Sequence, residues 1–276
     1  MTGTFFTLGP FDVPPDLPQR HLRVYVPMGN DPDQVRPVLY LFDGQNVFTD
    51  EGSFSGGWHA HDASDKLLRL RKAVAPIVVG IEHGGARRID ELGPWAEKDE
   101  EGKPRGGHTD HLLSWIESTV MPHIQSKFQV ELGPTNTFIG GSSMGGLAAM
   151  YAHIRRPDLF GGALCMSPSF WFAKQRIQAF VASQPRPQHS RIYLDVGLRE
   201  VEAMTGPATE LATYLRARGY SHKSFLYRPD KRGTHAEPHW RRRLPLALKF
   251  LFDRDASDMG QFKKYAEKAP VGGAWG

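Results

Sequence analysis

The sequence predicts an α/β protein with a mostly parallel central sheet and helices on both faces. Two observations carry this. Short apolar runs of β type alternate with longer helix-type stretches, and several of those runs are apolar throughout, as strands buried on both faces must be. The runs are His21 to Val26, Val38 to Phe42, Ile77 to Ile81, Thr137 to Gly140, Ala163 to Met166, Arg191 to Val196 and Ser224 to Tyr227. The N-terminal segment through Pro18 is expected to add an antiparallel edge strand. Helical spacing is clearest from about His111 to Phe128, where Leu112, Trp115, Ile116, Val120 and Ile124 recur at three- and four-residue intervals. Pro122, which has no N–H to donate, is expected to kink or restart that helix. Further helices are predicted from Ser143 to Ile154, Glu202 to Arg218 and His239 to Phe252.

The 276 residues are expected to form one domain, residues 1–276, since 40% hydrophobic content supplies a substantial core and no linker or repeat divides the chain. Two stretches lack core-forming pattern. One, Gly84 to Gly107, is charged and glycine-rich, and a loop that long inside a compact domain usually serves function. It carries Arg87, Arg88 and Trp95 and is expected to border the substrate site. The other is the tail, residues 263–276, read as a flexible extension.

A net charge of +4 is mildly basic, and its densest cluster, Arg241 to Arg243, falls in a helix-type stretch and reads as a solvated face, so no nucleic-acid partner is expected. The single cysteine, Cys165, excludes an intrachain disulfide and reads as a buried thiol in an apolar run. No apolar stretch approaches membrane-spanning length and the first residues lack a signal-peptide pattern, so a cytoplasmic protein without membrane contacts is expected.

The chemistry is concentrated at Gly141-Ser142-Ser143-Met144-Gly145, a G-x-S-x-G motif between a β-type and a helix-type run. A serine on such a tight turn has strained backbone angles, and side chains two positions either side would meet neighbouring backbone, hence the glycines. The turn presents the Ser143 hydroxyl at the positive end of the next helix, as the nucleophile elbow of an α/β-hydrolase fold requires. Ser142 is the rival serine, but it frames the pentapeptide less well.

A serine nucleophile needs a base, and an imidazole base needs a carboxylate to orient it, in the chain order Ser, acid, His. His235 follows Gly233-Thr234 just before the last helix, and Glu200 lies on the loop after the β-run ending at Val196. Asp195 and Glu202 stay open as alternatives for the acid, and His239 as an alternative for the base.

These segments resemble the esterase family of α/β-hydrolases that includes enterobactin-type siderophore esterases, feruloyl esterases and S-formylglutathione hydrolases. The likeness runs roughly from Val24 to Phe252 through Leu39-Tyr40-Leu41-Phe42-Asp43-Gly44-Gln45, Arg88-Ile89-Asp90-Glu91-Leu92-Gly93-Pro94-Trp95, the elbow, Ser167-Pro168-Ser169-Phe170-Trp171, Asp195 to Glu200 and Gly233-Thr234-His235. The resemblance implies an ester hydrolase acting on a small-molecule ester of short-chain, phenolic or siderophore type. It implies an oxyanion hole from the backbone amides of Gln45 and Met144, and a Trp171 near the acyl or alcohol pocket, for which core packing is the alternative. Some siderophore esterases of this kind resemble a Ser-His dyad, which leaves the role of Glu200 open.

Other readings are an acyltransferase of the same fold, a non-catalytic scaffold, and a metal hydrolase built on the pairs His59 and His61, His108 and His111, or His235 and His239. The sequence lacks a His-Glu-x-x-His motif, and no metal or organic cofactor is expected for the reaction.

Overall fold

A computed structural model describes residues 3–14, 17–28, 34–53, 55–69, 74–99, 101–172, 174–254 and 262. The chain begins with a hairpin, β1 (Thr4–Val13) and β2 (Leu17–Val26), followed by β3 (Val38–Phe42), α1 (Ala60–Leu68) and β4 (Ile77–Ile81). A short helix, α2 (Arg88–Leu92), and a two-rung hairpin, β5 (Glu97–Lys98) with β6 (Pro104–Arg105), come next, then α3 (Thr109–Trp115) and α4 (Met121–Lys127). The second half alternates β7 (Thr137–Ser142), α5 (Met144–Arg155), β8 (Gly162–Met166), α6 (Lys174–Ser183), β9 (Arg191–Gly197), α7 (Glu202–Ala217), β10 (Phe225–Asp230) and α8 (Glu237–Phe252).

Eight strands form one sheet in the order β1-β2-β4-β3-β7-β8-β9-β10. The six from β4 to β10 run parallel, and the β1–β2 hairpin adds to β4 antiparallel, as the N-terminal edge predicted. Side chains alternate across these strands and sort the core into two layers. Tyr40, Ile139, Cys165, Leu194 and Tyr227 face α3 to α7, whereas Leu39, Phe138, Leu164, Tyr193 and Leu226 face α1 and α8. Cys165 is fully buried, which pushes its thiol far above the usual range, in keeping with a packing role.

Three departures have local causes. The helix around Pro122 widens to π spacing over Ile116–Val120 and restarts as α4 with the proline in its first turn, so the missing N–H falls where the ladder is already broken. The Gly84 to Gly107 stretch is not a bare loop, because α2 and the β5–β6 hairpin order it and Trp95 packs edge-on against Tyr151 and Phe180. In the Arg241–Arg243 cluster, Arg243 turns inward and is buried, while Arg241 and Arg242 stay at the surface. Residues 263–276 lie outside the described residues.

Candidate active site

At the β7–α5 junction Ser143 has φ 55° and ψ −123°, a strained conformation for any residue with a Cβ. The backbone around it is pinned: its N–H donates to the Met166 carbonyl at 3.0 Å, and its carbonyl accepts from Ser169 N at 2.9 Å and from Gly146 and Leu147 at 3.1 Å. A Cβ on Gly141 would stand 2.7 Å from the Gly145 backbone, so the elbow closes only with glycine there. The Ser143 hydroxyl lies 2.9 Å from the hydroxyl of buried Ser169. Ser142, the other serine, is buried as the last residue of β7 and reaches the edge of the same cleft. Met144 is the first residue of α5, so its amide has no carbonyl one helical turn behind it.

The carboxylate nearest the predicted base is Glu200. Its Oε2 accepts the His235 Nδ1–H at 2.9 Å, and its Oε1 accepts from Gly197 N at 2.8 Å and Ser167 Oγ at 2.6 Å. Burial opposes its ionisation, but these three donors win and hold the carboxyl below its usual range. With Nδ1 committed to Glu200, Nε2 is the nitrogen of His235 left to act. The ring packs edge-on against Trp240, centroids 5.0 Å apart.

The alternatives fall elsewhere. Asp195 is fully buried in β9, where it accepts from Arg243 Nε at 2.9 Å, Ser167 N at 3.1 Å and Tyr193 OH at 3.2 Å. Its burial, only partly offset by Arg243, pushes its carboxyl up to about 6. Glu202 is exposed on the first turn of α7 and bonds Thr205. His239 accepts from Thr234 N at 2.6 Å and lies within 2.8 Å of Thr234 Oγ1, bracing the loop that carries His235.

Ser167 links the two carboxylates. Besides donating to Glu200, its hydroxyl accepts from Trp240 Nε1 at 3.1 Å and Arg243 Nη2 at 2.9 Å. Sequence reasoning missed this role for Ser167 and Arg243. The available signal was α8 itself: Arg243 follows Trp240 by three and precedes Leu244, placing it on the helix's inner face.

Opposite the elbow, Asp43 takes the left-handed conformation with φ 59°, and its buried carboxylate receives a bidentate pair from Arg88 at 2.6 and 2.7 Å. The Gln45 side chain pairs both ways with the backbone of His83, at 3.1 Å each, fixing the turn that bears its amide. A cleft of about 540 Å³ opens here at the carboxyl ends of the strands, lined among others by His83, Arg88, Ser143, His235 and Glu237. Glu237 accepts from Asn46 Nδ2 at 3.2 Å and from Ser55 Oγ. Of the predicted loop residues, Arg88 reaches the cleft, whereas Arg87 pairs with Asp90. Trp171 is 52% exposed and stands edge-on to Phe172, outside the core.

This sheet, with a strained serine at its central strand-to-helix turn and a His–carboxylate pair on the following loops, defines the α/β-hydrolase class. The family model described as "Putative esterase" matches residues 18–251, and the chain belongs to this family of carboxylic ester hydrolases. Among relatives, YbbA of Bacillus subtilis, described as uncharacterized, is 22% identical over 250 residues, covering 87% of this chain and 95% of that protein. The siderophore triacetylfusarinine C esterase of Aspergillus fumigatus is 30% identical over 139 residues, 49% of this chain and 45% of that protein. The solved structure of an IroE-like serine hydrolase from Shewanella oneidensis superposes with a TM-score of 0.71 at 17% identity, over 97% of this chain and 90% of that one. Among the described residues no helix is long and apolar enough to cross a membrane.

Proposed function

We propose that the chain is a serine esterase working through an acyl-enzyme, with Ser143 as nucleophile, His235 as base and Glu200 as the orienting acid. The observation that carries this reading is the Glu200–His235 hydrogen bond, set across one cleft from a serine in a strained elbow conformation. The Ser143 hydroxyl turns from Ser169 toward Nε2 of His235, which takes its proton as Oγ attacks the ester carbonyl. The oxyanion is received by the amides of Met144 and Gln45. The imidazolium, stabilised by Glu200, then protonates the departing alcohol, and a water activated by the same histidine releases the acid and restores the serine.

The substrate is a small-molecule carboxylic ester of short-chain, phenolic or siderophore type, a range supported by the siderophore esterase among the relatives. Exposed Trp171, two residues after Ser169, is assigned as an aromatic contact for its acyl or alcohol part. The single cysteine suits action in the reducing cytoplasm.

The test is a fluorophosphonate label followed alongside hydrolysis of short-chain p-nitrophenyl esters, with the modified peptide mapped by mass spectrometry. Stoichiometric labelling of Ser143 with parallel loss of turnover is expected. The Ser143→Ala variant should lose several orders of magnitude in kcat. A variant that keeps most of the activity would overturn the assignment.

A further inference from the structure

One group of side chains outside the hydrolytic machinery has the composition and spacing of metal ligands. At the start of α1, one nitrogen from each of His59 and His61 and one oxygen of Asp62 lie within 4.8 Å of one another. The two imidazoles stack with centroids 5.6 Å apart, and the Asp62 carboxylate approaches each through a different oxygen, Oδ1 3.5 Å from His61 Nε2 and Oδ2 3.8 Å from His59 Nδ1. Both separations are too long for hydrogen bonds. The His61 Nε2–Asp62 Oδ1 separation is close to the ligand-to-ligand edge of a tetrahedral zinc site, about 3.4 Å for bonds of about 2.0–2.2 Å, and an ion would draw the wider His59 Nδ1 approach in toward it.

The surroundings select the ligating nitrogens. His59 Nε2–H donates to Asp50 Oδ1 at 2.9 Å, and that carboxylate oxygen is itself held by Gly57 N at 2.8 Å. This is the carboxylate–histidine arrangement that orients metal-bound imidazoles, and it leaves Nδ1, 3.8 Å from Asp62 Oδ2, as the nitrogen free to ligate. His59 reaches this position through a left-handed backbone, φ 50°. The other nitrogen of His61, Nδ1, is buried with no partner among the described residues, so Nε2 is the one open to the cluster. The His61 ring is held by Phe5 and Tyr25, centroids 5.1 and 5.7 Å away. From α8, Arg241 approaches Asp62 at 3.9 Å.

We propose that His59 Nδ1, His61 Nε2 and Asp62 form a zinc-binding site, with water at the fourth position and Asp50 as the outer carboxylate. The ion joins α1 to the loop of residues 50–59, whose Ser53 and Ser55 line the hydrolytic cleft. Its role is to brace that wall rather than to take part in ester hydrolysis.

The experiment uses the untagged full chain, stripped with a chelator and titrated calorimetrically with Zn²⁺, with Co²⁺ as the spectroscopic substitute. One equivalent should bind, Co²⁺ should give the visible absorption of a tetrahedral site, and zinc should raise the melting temperature. His59→Ala and Asp62→Asn should abolish this binding. Asp50→Asn should weaken it by about 10- to 100-fold. His108→Ala, taken from the other close histidine pair, should bind as the parent does. Absence of zinc binding, binding unchanged in His59→Ala and Asp62→Asn, or a melting temperature indifferent to zinc would each overturn the proposal.

Discussion

Glutamine at position 200 keeps the shape of the glutamate and removes its charge, which makes Glu200→Gln a sharp test of how His235 is oriented. Oε1 of Glu200 already accepts two hydrogen bonds, from Ser167 Oγ at 2.6 Å and Gly197 N at 2.8 Å. The amide oxygen of the variant must take that place, because an NH₂ there would oppose two donors. Its NH₂ then falls where Oε2 now accepts from His235 Nδ1 at 2.9 Å. An amide nitrogen can only donate, so Nδ1 becomes the acceptor and the ring proton moves to Nε2, the nitrogen meant to receive the proton of Ser143. The wrong tautomer is expected to cost about 10³- to 10⁴-fold in kcat. That range corresponds to about 4 to 5.5 kcal/mol of activation free energy. Because the Ser167 and Gly197 donors keep their acceptor, the fold should survive. Burst kinetics with a p-nitrophenyl ester isolate the acylation step, and the rate of fluorophosphonate labelling should fall in parallel. Glu200→Ala, which brings no misdirected donor, should lose less. Should Glu200→Gln remain within tenfold of the parent, the imidazole is oriented without Glu200 and the enzyme works as a dyad.

Two further outcomes follow from buried groups. Ser167→Ala removes the hydroxyl donor to Glu200 and leaves Trp240 Nε1 and Arg243 Nη2 without their acceptor. At about 1–3 kcal/mol for each unsatisfied buried donor, urea denaturation should show a loss of about 2–6 kcal/mol, and kcat should fall more than KM changes. His153 is fully buried between the Phe160 carbonyl at 2.9 Å and Ser190 Oγ at 2.7 Å, and burial lowers its pKa from 6.5 to about 4. The unfolded chain therefore takes up a proton that the folded chain refuses. The associated stability, about 3 kcal/mol at most, is fully present above pH 6.5 and drains away as the pH falls toward 4. The urea midpoint of the parent should drop over that window, and His153→Gln should flatten the dependence.

Strands were the most legible part of the chain because a parallel sheet buried on both faces concentrates apolar residues into runs that few other structures produce. α1 escaped notice because its inward residues, Ala60, Ala63, Ser64 and Leu67, are mostly small or polar. α6 sets Ile177 and Val181 toward the core in a segment of only ten residues, too short for helical spacing to stand out. The elbow and the loop histidine were readable since each sits beside glycines at a boundary between periodicities. The choice among Asp195, Glu200 and Glu202 was not, because it depends on strand parity and loop closure. Tyr193 and Asp195 share the face toward α8, and only the turn after Gly197 swings Glu200 to His235. Arg243 was misread for a related reason: three adjacent arginines look like solvent-facing charge, and the carboxylate that draws one of them inward lies 48 residues upstream.

α8 begins two residues after His235 and turns Glu237, Trp240 and Arg243 inward at intervals of three, while Arg241 and Arg242 reach outward to Asp62 and Asp230. Each helical residue advances the azimuth by about 100°, so inserting or deleting a single residue between His235 and Arg243 would swing the guanidinium away from Ser167 and Asp195 even with every side chain chemically intact. The first turns of this helix thus work as a ruler. Homologous enzymes that keep this wiring should vary freely in residue type at its two outward positions and hardly at all in the number of residues it contains.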